Sequence, residues 1–175
     1  MDSAAVFLSP WVNFYVILGS AGGALTGLTF IVITIVQQTG RARSAEGISV
    51  FTTPTVVHFS ATLVVAAVMT APWKIVICPA ITLGILGLAG VAYVIRNFLI
   101  ARNFHDYVPD TEDLLAYFIL PFVAYALIAA GSLLLLDRVG SGLFVVGGGT
   151  LLLILMGIKN AWDVVTYLTL RADDA

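Results

Sequence analysis

Charge is what this sequence has least of. Asp, Glu, Lys and Arg together make up 10% of the 175 residues, where a soluble domain carries about 25%. The net charge of −2 gives no field for nucleic acid or for a strongly charged partner. Cysteine is nearly missing too. Cys78 stands alone, so a disulfide within the chain is excluded, and no metal site can use more than one thiolate. Histidine occurs twice, as His58 and His105, which gives haem ligation little to work with.

Catalytic patterns are missing as well. There is no HExxH, GxSxG, P-loop or pair of carboxylates inside an apolar run, and no nucleophile has a base at a recognised spacing. No enzymatic activity, cofactor or metal is expected. The acidic loop set His105, Asp106, Asp110, Glu112 and Asp113 lacks EF-hand spacing, and capping of the next helix accounts for most of it. The N-terminus has no basic stretch before its apolar run, so a cleaved signal peptide is not expected.

Apolar residues fill the space left by charge. They make up 60% of the chain, and the mean hydropathy is +1.04. Lipid is the solvent that suits such a composition. Runs of about 20 apolar residues cross the hydrocarbon core as helices, and the sequence predicts five of them in a single domain spanning 1–175. They fall at about 10–38, 54–71, 74–101, 112–136 and 141–170. The fold class expected is an all-α integral membrane protein, bound by the lipid bilayer. Thr53 and Pro54 fit an N-cap and first-turn proline for the second helix. Asp110 or Thr111, followed by Glu112 and Asp113, fits the start of the fourth. The short link Asp137–Gly140 predicts an antiparallel hairpin of the last two helices, and Pro121 predicts a kink.

Orientation follows from the basic residues. Arg41, Arg43, Arg96, Arg102, Lys159 and Arg171 fall on one side and Lys74 and Arg138 on the other. The richer side is expected in the cytoplasm, so the chain starts outside and ends inside. Trp11 and Trp73 then mark the outer interface and Trp162 the inner one.

The first helix has two faces. Phe14, Ile17, Leu18, Ala21, Leu25, Leu28, Val32, Ile35 and Val36 share one of them. Asn13, Gly19, Ser20, Gly22, Gly23, Thr26, Gly27, Thr29, Thr34, Gln37, Gln38 and Arg41 cover the rest. Within the second set, Gly19, Gly23 and Gly27 stand four apart, a spacing that lets another helix approach closely. The partner is either a helix of the same protomer or a second copy around a pore, and Asn13, Ser20, Gly27, Thr34, Gln38 and Arg41 follow one side of the helix. The segment Trp11-Val12-Asn13-Phe14-Tyr15-Val16-Ile17-Leu18-Gly19-Ser20-Ala21-Gly22-Gly23-Ala24-Leu25-Thr26-Gly27-Leu28-Thr29-Phe30-Ile31-Val32 resembles the opening helix of small, uncharacterised bacterial integral membrane proteins, some of them labelled modulators of a membrane protease. That resemblance covers this segment alone. It implies a bacterial inner-membrane location and supplies no activity.

Polar residues gather near the cytoplasmic side. Thr55, His58 and Thr62 share a face of the second helix, Arg96 and Asn97 close the third, and Lys159, Asn160 and Asp163 lie on the fifth. With Arg41 they sketch a vestibule, although snorkelling lysine and arginine and a Lys159–Asp163 pair explain much of the set. Small residues recur at Ala80, Gly84, Gly87 and Gly90 and at Gly147, Gly148 and Gly149, predicting close crossings and a deformable point in the last helix. The function expected is a homo-oligomeric channel for small ions, with its pore at the polar face of helix one. The alternatives are a non-catalytic accessory subunit of another membrane complex or a small transporter.

Overall fold

The computed structural model describes residues 4–38, 45–102 and 114–170. Every regular element among them is helical, and five helices are long and apolar enough to cross a membrane. The order is α1 (Ala4–Leu8), a 3-10 turn (Ser9–Trp11), α2 (Val12–Gln38), α3 (Ala45–Thr70), α4 (Ile77–Ala101), a π-helical turn (Leu115–Ile119), α5 (Leu120–Asp137) and α6 (Val139–Leu170). Helices α2 to α6 run up and down as a bundle. One end carries Lys74 and Arg138, the other Arg96, Arg102 and Lys159.

Glycine and alanine decide which helices touch. A methyl group added at Gly87 would lie 2.6 Å from the Ala129 nitrogen, and one at Gly84 would lie 3.0 Å from Ser132 Oγ. Gly90 lies beneath the Tyr125 ring. These pairs run antiparallel and fuse α4 to α5, as the spacing Ala80, Gly84, Gly87 and Gly90 predicted. Helices α5 and α6 close the same way. A methyl at Gly142 would meet the Leu135 nitrogen at 2.7 Å, and one at Gly149 the Ala124 carbonyl at 2.8 Å. Only Arg138, with φ −128° and ψ 72°, interrupts the two helices, so the expected hairpin is present. Such close approach brings many atoms into dispersion contact across the helix seams. The core between them is apolar, built from Val65, Met69, Leu83, Ile128, Leu135, Val146 and Leu153. The outer surface of α4 carries Ile81, Ile85, Leu88 and Ile95, all exposed, as a lipid-facing stripe would.

Several sequence expectations need correction. Pro54 does not open the second helix but lies inside α3, which begins at Ala45. Proline costs one backbone donor and a steric shift, yet helices in apolar bundles tolerate it, so the first-turn preference was not decisive. Cap residues Asp110 and Thr111, with Glu112 and Asp113, lie outside the described residues. At Pro121 the departure from α geometry takes the form of the π-helical turn just before it. Proline cannot donate to the Tyr117 carbonyl, and the wider turn re-registers the chain. The three glycines of α6 make no break, because α6 continues through them. Trp11 and Phe14 fill the space over Gly147, and α5 fills that over Gly149. The short α1 had no sequence expectation. It lies across the Lys74 end, with Ala4 and Leu8 buried and the Ala4 amide donating to the Lys74 carbonyl at 3.4 Å. Trp11 meets Phe144 edge-on at 4.8 Å.

Candidate functional sites

Helix α2 is the peripheral member of the bundle. Of its most apolar stretch, 17% of residues are buried, against 33 to 50% in the other four spans. Its inner face rests on α3. A methyl at Gly19 would lie 2.7 Å from the Ala66 Cβ, and one at Gly22 would lie 2.9 Å from the Phe59 carbonyl. Gly27, by contrast, has open space around it, and Gly23 only grazes Leu63 at 4.0 Å. The three glycines therefore do not act as one groove. Steps of four advance about 40° around a helix, so a groove that faces α3 at Gly19 has turned away by Gly27.

Steps of seven drift only about 20° the other way, and this second spacing gives the outward stripe. Asn13, Ser20, Gly27 and Thr34 are all exposed. Thr34 Oγ1 donates to the Phe30 carbonyl at 2.9 Å, and Thr26 Oγ1 to that of Gly22 at 2.8 Å. Those two hydroxyls are satisfied by their own helix, which makes α2 less demanding of a polar neighbour than composition suggested. Arg41 lies outside the described residues, as does the side chain of Gln38.

The expected vestibule separates into unlike parts. Arg96 is exposed and Asn97 half-buried. Lys159 Nζ donates to Asp163 Oδ2 at 2.8 Å, one turn along α6, so that pair forms as expected. Thr55, His58 and Thr62 are buried together on one face of α3. His58 does not reach a surface at all. Its Nδ1 shares a hydrogen bond of 3.1 Å with the Tyr125 hydroxyl, while Thr62 Oγ1 donates back to the His58 carbonyl at 3.0 Å.

One member of this interior set fell outside the sequence-derived vestibule, and another was placed in it without its burial being foreseen. Tyr125 comes from α5, and no spacing rule connects it with His58 across 67 residues. Asn160, on α6, is fully buried, and among the described residues neither its Oδ1 nor its Nδ2 has a hydrogen-bond partner. His58 Nε2 and the Tyr15 hydroxyl are also buried without partners among the described residues. A buried polar atom left dry costs about 1–3 kcal/mol, so these atoms stand out beside the buried Thr62, Ser132 and Thr150 hydroxyls, each of which donates to a carbonyl of its own helix. Among the described residues no cluster of three or more His, Cys, Asp or Glu could hold a metal. No family model matches the chain, and neither a curated protein nor a solved structure is significantly similar to it.

Proposed function

We propose that the protein is a multi-pass protein of a bacterial inner membrane, N-terminus outside, and that several copies form a channel for small ions around α2. The exposure of Asn13, Ser20, Gly27 and Thr34 on the side of α2 turned away from its own bundle carries this reading. Elsewhere the exterior follows the rule for lipid. Ile85 and Leu88 on α4, Leu133 on α5 and Leu155 on α6 are exposed and aliphatic. A small, uncharged polar stripe among such surfaces gains from meeting copies of itself, since small residues let helices approach closely and the polar groups can bond across the contact or to water.

Orientation rests on the basic residues, with Arg96, Arg102 and Lys159 at one end against Lys74 and Arg138 at the other. A five-helix protomer has little room to enclose a conduction path alone, which favours the space between protomers. Native mass in lipid and current across planar bilayers test the reading together. The expected outcome is a closed ring of protomers and a conductance altered by Ser20→Trp or Thr34→Trp. A monomer without current overturns it.

A further inference from the structure

The α2 stripe leaves unused a second polar feature, inside the protomer. Asn160 is fully buried with both ends of its carboxamide unpartnered, and His58, also buried, has an unpartnered Nε2. A carboxamide needs one group that donates to it and one that accepts from it, and the described residues supply neither. The position of these atoms is informative. The Phe59 ring lies over Gly157, where α3 crosses α6. Thr55 is one turn before Phe59 and Asn160 one turn after Gly157. Because the helices are antiparallel, both residues lie on the same side of that crossing, toward the Lys159 end. The half-exposed Lys159–Asp163 pair comes next along α6. On the far side Val65, Met69 and Leu153 are buried, and the buried Thr62, Ser132 and Thr150 hydroxyls donate to carbonyls of their own helices, which leaves the Tyr15 hydroxyl on α2 as the unpartnered group there among the described residues.

We infer that water enters the bundle between α3, α5 and α6 from the Lys159 end, reaches the His58–Tyr125 pair, and stops there. Water is the smallest guest that can both donate to Asn160 Oδ1 and accept from its Nδ2, and a further water can bond His58 Nε2. An ion is disfavoured, because Thr55, His58, Tyr125 and Asn160 offer no carboxylate to balance it. The water-filled track ends blind below the apolar layer. It is therefore separate from any path along α2 and gives His58 proton exchange with one side of the membrane only.

Hydroxyl-radical footprinting by X-ray pulse, on the full chain in lipid nanodiscs, tests this by labelling side chains that lie beside bound water. His58 and Tyr125 should be modified, whereas Met69 should stay unmodified although its thioether is intrinsically more reactive. Protection of His58 and Tyr125 would overturn the proposal, and so would labelling of Met69 alongside them. Asn160→Leu should reduce modification of His58 severalfold, and an unchanged level in a folded variant also overturns it. Should that variant fail to fold, the contrast with Met69 in the wild-type protein decides alone. The readout needs neither current nor ring assembly, so its failure is distinguishable from failure of the channel reading.

Discussion

The outward face of α2 and the seam between α3, α5 and α6 place polar groups in opposite settings. On α2, Asn13, Ser20 and Thr34 stand at the surface, and Thr34 is already bonded to its own helix. In the seam, His58, Tyr125 and Asn160 are buried, and their bonding is left partly open. The same residue chemistry thus serves two ends. At the surface it costs the isolated protomer little and specifies what the protomer can meet. In the interior it is held in place by surrounding packing, and some of its bonds are left unmet among the described residues.

Substitutions should separate the two regions by what they disturb. The largest effect is expected from His58→Ala, which opens a void in a packed interior and strips Tyr125 of its partner. A loss of about 2–4 kcal/mol should be measurable as a lowered unfolding transition in detergent, and an unchanged transition would place His58 in loose surroundings. Next comes the pair Gly22→Leu and Gly27→Leu. The first forces a side chain into the Phe59 carbonyl and should cost about 1–3 kcal/mol. The second enters open space and should stay within about 0.5 kcal/mol, changing native mass instead of melting. Equal losses from both would erase the distinction between the faces. Tyr125→Phe, which removes one interhelical hydrogen bond, should cost about 0.6 kcal/mol in the same melting assay. Lys159→Gln should be smallest, about 0.3–0.5 kcal/mol for an i,i+4 pair, since the Lys159 and Asp163 side chains are about one-third exposed.

What was legible in the sequence was what local periodicity records. The five apolar runs were legible because lipid demands a minimum length of apolar helix. The α4–α5 seam was legible because Gly84, Gly87 and Gly90 repeat within one helix face. Thr55, His58 and Thr62 were placed on one side of α3 by the same reasoning. The partner of His58 was not legible, because Tyr125 reaches it through tertiary packing that no short spacing encodes, and Asn160 was placed at the right end of its helix without its burial being legible. Pro54 misled for a related reason: a local preference for helix starts was outweighed by a helix already running from Ala45. The glycines of α2 misled through geometry, since a spacing of four does not stay on one face over two further turns.

The single residue between α5 and α6 bears on how the protein comes together. Joining two helices through Arg138 alone leaves almost no loop to close, so their contacts come at the lowest entropic cost in the chain. Contacts between near neighbours in sequence also form fastest. The hairpin is therefore the natural starting template, with α4 docking on its α5 side and α3 on its α6 side. Helix α2, resting mainly on α3, would be set in place last. If copies of the protein meet through α2 as proposed, the element that joins them is the one whose placement waits on all the rest, and assembly of a ring would be deferred until each protomer is complete.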